Sequence, residues 1–103
     1  MWFGIELFFE GRNQADPQEE PLWEQRVILL DAANEFAARA ESERIGKESE
    51  HEYTAINGGR IKWEFRAVGG LHKIDADSIA NKTEVFSRFL RPRDAKSILT
   101  PFD

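Results

Sequence analysis

Cysteine is absent from this chain of 103 residues, which excludes disulfides, thiolate metal sites and cysteine nucleophiles together. Histidine is nearly as scarce, with two copies. His51 and His72 stand a whole strand apart with no second ligand at metal spacing, and both read as structural or solvent-exposed. No apolar run approaches the roughly 20 residues needed to span a bilayer. Met1–Glu10 has no basic stretch and carries Glu6 and Glu10, unlike a signal peptide. A soluble, cytoplasmic protein is the expectation. Positive charge is in deficit as well, with 14 Lys and Arg against 19 Asp and Glu and a net −5. Such a field opposes attraction to phosphate backbones. Arg88–Arg93 is basic only locally, so nucleic acid is not the expected partner.

Chemical motifs are missing too. Asp75-x-Asp77 lacks the glycine and terminal glutamate of a calcium loop. Asn57-Gly58-Gly59 runs into a strand rather than a helix, so it cannot form a phosphate cradle. Ser87 sits in an alternating stretch and not at a nucleophile elbow. No catalytic residue, metal ligand or cofactor is assigned.

What the chain does hold is apolar material, 41% of its residues, with 12% aromatic. Each large ring removes roughly 150–250 Å² from water, enough for one core without staples. The clearest pattern is Arg60–Val68, where Ile61, Trp63, Phe65 and Ala67 alternate with Lys62, Glu64 and Arg66. A strand sends successive side chains to opposite faces, so this is an interior strand with one packed and one charged face. Asn57-Gly58-Gly59 supplies the positive-φ turn that pairs it with His51–Ile56. Gly69-Gly70 predicts a bulge or bend before Leu71–Ile74.

Trp2–Glu10 alternates likewise, with Phe3, Ile5, Leu7 and Phe9 on one side and Phe8 intruding among the polar residues. Leu22–Asp31 reads as the next strand after a polar excursion at Gly11–Pro21. Ala32–Glu50 changes to a helical period, with Asp31 or Asn34 as cap and Ala33, Phe36, Ala37, Ala40 and Arg44 or Ile45 on the buried stripe. Gly46 marks a fraying last turn. Thr83–Leu90 alternates again as a last strand. The result is an α+β fold: a five-stranded, mainly antiparallel sheet in the order β-β-α-β-β-β, with one helix packed on one face. Strand orders 2-1-3-4-5 and 2-1-5-4-3 both allow full antiparallel pairing. Residues 1–90 form a single α+β domain, and residues 91–103 a C-terminal extension.

Several segments, in order, carry a family resemblance. Trp2-Phe3 opens a strand ending in Phe9-Glu10, and Leu22-Trp23-Glu24-Gln25-Arg26-Val27 follows. A helix, a strand with Tyr53 and a strand with Trp63 and Phe65 come next, closing on Thr83-Glu84-Val85-Phe86-Ser87-Arg88-Phe89. In these the chain resembles a small bacterial family, the domain-of-unknown-function 4288 family, across nearly the whole domain. The resemblance implies no activity. After Leu90 the chain departs from that pattern.

The candidate surface is the charged sheet face, with Glu6, Glu24, Arg26, Lys62, Glu64, Arg66, Glu84 and Arg88. Cross-strand pairs of this kind are worth roughly 0.2–1 kcal/mol each and suit register better than stability. A merely solvated face is the plain explanation. The functional expectation is a non-enzymatic binding or protein-interaction module, toxin-neutralising or regulatory, that uses Arg26, Trp63, Glu64, Arg66, Glu84 and Arg88. Its partner would be a protein or a small polar ligand. Phe8, Phe86, Leu90, Ile98, Leu99 and Phe102 leave apolar surface to cover, which points to a homodimer or other oligomer. The alternative is a small cofactor-free hydrolase or ligand-binding enzyme built on the Glu/Arg cluster, and that requires a concave pocket.

Overall fold

In the computed structural model, which describes residues 1–75 and 77–102, Trp2–Asn13 (β1) pairs antiparallel with Leu22–Asp31 (β2). On its other side β1 pairs antiparallel with Arg60–Lys73 (β4), which in turn pairs with His51–Thr54 (β3). The sheet therefore has four strands in the order β2-β1-β4-β3. The expected fifth strand is not formed. Residues 83–90 join no strand, because β1 and β3 already occupy both edges of β4. Removing that strand from the order 2-1-5-4-3 leaves the observed one. Asn57-Gly58-Gly59 does make the second hairpin. Gly58 takes φ +87°, and the Asn57 side chain accepts from the Gly59 amide at 3.0 Å.

Glu35–Glu48 (α1) starts three residues later than its period suggested. Asn34 is the cap, its Oδ1 accepting from the Ala37 amide at 2.8 Å, which satisfies one of the free amides of the first turn. The buried positions are Ala38, Ser42 and Gly46, with Ile45 beside them. Phe36 is 86% exposed, so the stripe is turned one position from the expected one. Gly46 is a contact rather than a frayed end, since a Cβ there would meet the Phe65 ring. Small side chains every fourth residue let the helix lie close to the sheet.

Phe3, Ile5, Leu7, Phe9 and Ala38 form the buried core, flanked by Ile28, Leu30, Trp63, Phe65, Val68 and Leu71. Trp63 and Phe65 thus join the core on the helix side. β4 keeps this face only by breaking its own alternation. Its register against β1 shifts between Phe8/Ala67 and Phe9/Phe65, and again between Ile5/Leu71 and Leu7/Val68. The first shift, at Arg66, sends Ala67 to the opposite face and returns Val68 to the core. The second, at Gly69-Gly70, brings Leu71 back. Each bulge inserts one residue and so reverses the parity of everything beyond it.

Residues 83–88 cross the face opposite α1. A Cβ on Gly4 would fall on the Val85 carbonyl, and one on Gly70 would lie 2.8 Å from the Phe86 ring. Glycine at these points lets a chain lie directly on a sheet. A second helix, Pro92–Leu99 (α2), follows in the C-terminal extension where only one helix in all was expected, and it buries none of its residues. Among the described residues, no helix is long and apolar enough to cross a membrane.

Candidate interaction face

The face opposite α1 divides into a charged half and a covered half. Glu10 and Glu64 stand opposite each other across β1 and β4. Glu10 is 6% exposed, and a carboxylate so placed must be paired. Arg66, displaced by the first bulge, reaches it with Nε at 3.0 Å and Nη2 at 2.8 Å. Arg12 does the same from within β1, at 3.2 and 3.0 Å. Arg66 also approaches Glu64 at 3.4 Å, and Lys62 lies 3.8 Å from the same carboxylate. The outcome is a shallow plate of alternating charge around one buried carboxylate.

The Arg66 guanidinium, by donating to Glu10, holds that carboxyl below the usual carboxylate range; desolvation opposes this and Arg12 assists it. Glu10 in turn raises Arg66. A depressed carboxyl contributes stability above its unfolded pKa and loses it as pH falls through the lower folded value. Glu10→Gln should therefore melt below the wild type at neutral pH, and the gap should narrow as pH falls below about 4.5. Glu41, depressed by Arg44, keeps part of the acid limb in both proteins. Melting curves from pH 7 to pH 3 check this, and a gap that widens in acid would refute it.

In the covered half Glu6, 3% exposed, takes the Gly70 amide at 3.1 Å and the Gln25 amide group. Arg88 stands 3.8 Å from it. Glu84 meets His72 Nε2 at 3.2 Å, and Ser87 Oγ stands 3.5 Å from His72 Nδ1. The Phe86 ring lies edge-on to the His72 ring at 6.5 Å. The order Ser–His–Glu resembles a nucleophile with its base, yet 3.5 Å is the outer limit of a hydrogen bond. The Glu84 side chain is also two-thirds exposed, so solvent screens its charge. These contacts fasten residues 84–88 to the sheet.

Of the six residues singled out from sequence, the structure gathers Glu64 and Arg66 at the charged plate and Glu84 and Arg88 on the covered half. Arg26 and Trp63 lie on the helix side. Arg26 stands opposite Leu7 and places its guanidinium 4.4 Å from the Phe9 centroid; Glu24 is its ion-pair partner at 2.6 Å. α1 packs on β4 and β1, which leaves the outer half of β2 able to carry these charges on the core side. Arg12 and Glu10 were missed as site residues. The Glu-x-Arg spacing at 10 and 12 on an alternating strand was the available signal.

β2, an outer strand, turns Trp23, Gln25, Val27 and Leu29 to the charged-plate side. Trp23, Val27 and Leu29 are 53%, 45% and 44% exposed. Clefts of about 390 and 330 Å³ lie at the other end of the sheet, one around Met1, Trp2, Asp31 and Lys73, the other around His72, Thr83 and Glu84. Among the described residues no cluster of three or more metal-ligating side chains occurs.

No curated protein and no solved structure matches the chain. The profile of the family described as "Domain of unknown function (DUF4288)" matches residues 2–87, so the chain belongs to that family. The match covers all four strands, α1 and most of the crossing segment, and it stops where the basic C-terminal stretch begins.

Proposed function

We propose that this family member is a non-enzymatic protein-interaction module of a regulatory or toxin-neutralising kind, acting in the cytoplasm without a cofactor. Its docking surface is the charged plate of Arg12, Lys62, Glu64 and Arg66, extended by Glu84 and Arg88 along the crossing segment. One observation carries this reading: around Glu10 the charged side chains of Arg12, Lys62, Glu64 and Arg66 pair with one another on a shallow face instead of converging around a hollow. A flat, mixed-sign plate suits a protein surface, where charge complementarity sets orientation and association rate. The overall negative charge favours a basic partner. Arg26 and Trp63 act from beneath, by holding β2 and β4 in place.

The Glu/Arg cluster suits a hydrolase poorly. A general acid must hold its proton near neutral pH, and Glu10 is shifted the other way. The test is a charge swap, Lys62→Glu with Glu64→Lys, against Lys47→Glu on α1 as control. Affinity capture should retain one discrete partner on the wild type and the control and lose it on the swap, at least tenfold. Ester, phosphoester or peptide turnover that the swap abolishes would overturn the reading, as would equal capture by all three.

A further inference from the structure

Among the apolar surfaces that face solvent, two differ in charge. The first is the row Trp23, Val27 and Leu29 on the outer strand β2, next to an unpaired backbone edge. Isolated exposed apolar residues are ordinary, but a row beside a free edge invites another chain. The second is the C-terminal arm. Phe89 is 106% exposed, Leu99 81% and Phe102 92%, with Ile98 at 51%. In α2, Ile98 and Leu99 follow Ala95 at helical spacing and line one side of a helix that buries nothing.

Residues 88–103 hold four of the 14 basic side chains and two of the 19 acidic ones, for a net +2. Residues 1–87 keep ten basic and seventeen acidic, for a net −7. The arm is thus a cationic, apolar segment attached to an anionic body. Asp31 ends β2 on the face that carries the row, and Glu20 borders the strand.

The arm leaves the sheet beside the row it would fit. Arg88 stands at Glu6, and Glu6 is opposite Val27 in the register. Its conformation carries it away, however. Arg91 is extended at φ −72° and ψ 154°, and Pro92 begins the helix. A residue before proline is held in this region by steric clash, so the chain is extended as it enters α2. The radius of gyration is 16.3 Å, against about 13 Å for a compact chain of this length. α2 buries none of its residues against the body of its own chain.

We infer that the arm, with Ile98, Leu99 and Phe102, docks on the Trp23–Val27–Leu29 row of a second copy. A two-fold arrangement lets each copy supply one arm and one row, closing both surfaces in a dimer. Opposite charge on arm and body draws the copies together and makes the association weaken with salt. This inference uses none of Arg12, Lys62, Glu64 and Arg66; the one shared residue, Arg88, marks where the arm leaves the sheet.

The absence of cysteine makes the test clean. Val27→Cys protein mixed with Leu99→Cys protein and treated with a short bis-maleimide should give a mixed product of about twice 11.9 kDa. Its yield should exceed that of an Ile56→Cys and Leu99→Cys mixture at least fivefold and fall in high salt. Uncross-linked wild type should show dimer mass by light scattering, and Leu99→Asp should be a monomer. The inference is overturned if the Val27→Cys/Leu99→Cys double variant closes within one chain on dilution, or if the yield only equals the Ile56 control. Wild type that stays monomeric at all concentrations overturns it too.

Discussion

Replacing Phe9 by alanine lowers stability by about 3–5 kcal/mol, and the melting temperature falls by roughly 15–30 °C. Phe9 is fully buried at the middle of β1. Its ring meets Phe65 edge-on at 5.7 Å, and Phe65 in turn fills the space that Gly46 leaves on α1. Truncation therefore opens a void against both the helix and β4, and neither can close it without breaking the Gly46 contact. Arg26 loses the ring beneath its guanidinium, worth a further 0.5–1 kcal/mol or about that at an exposed site. Against a total of about 5–15 kcal/mol for a domain of this size, the loss is a large fraction. Thermal and urea unfolding of wild type, Phe9→Ala and Arg26→Ala check it. A Phe9→Ala loss no larger than that of Arg26→Ala would show that the core is centred elsewhere.

Gly4→Val should release the crossing segment while leaving the sheet intact. Valine favours strands, so on local preference alone the change ought to stabilise β1. The opposing effect is steric and larger. The new Cβ falls on the Val85 carbonyl, and backbone, unlike a side chain, cannot rotate away. Overpacking of this kind costs about 1–3 kcal/mol, and the cheapest relief is for residues 83–88 to lift off. Trypsin cleavage after Lys82 and Arg88 should then rise at least tenfold, with the circular dichroism of the sheet retained. Unchanged cleavage would mean that the segment does not depend on the Gly4 gap for its place.

The alternation of residues 83–90 was legible because it is local, but it did not make the expected strand. Whether such a segment becomes a strand depends on which edge it can reach, and β1 and β3 hold both edges of β4. Arg26 was misplaced for a related reason. Alternation groups Glu24 with Arg26 and Trp23 with Gln25, but it does not say which group faces the helix. Chemical type suggested the charged face, and the register with Leu7 and Phe9 put both charges on the core side. Arg66 was assigned to the charged face correctly, though as the bulged residue of β4 rather than as one step of a regular alternation.

Sequence alone determined the first two strands, the central helix, the hairpin at Asn57-Gly58-Gly59 and the apolar set of β1 that forms the core. These follow from preferences acting over a few residues, which composition and spacing carry directly. The choice of Asn34 over Asp31 as cap and the second helix at Pro92–Leu99 came from the structure. The tertiary structure decided the four-strand order, the two bulges that reverse the parity of β4, the clamp of Arg12 and Arg66 on Glu10, and the crossing segment on its glycine floor. Each of those depends on which distant residues meet, and one inserted residue in a strand is enough to exchange its faces.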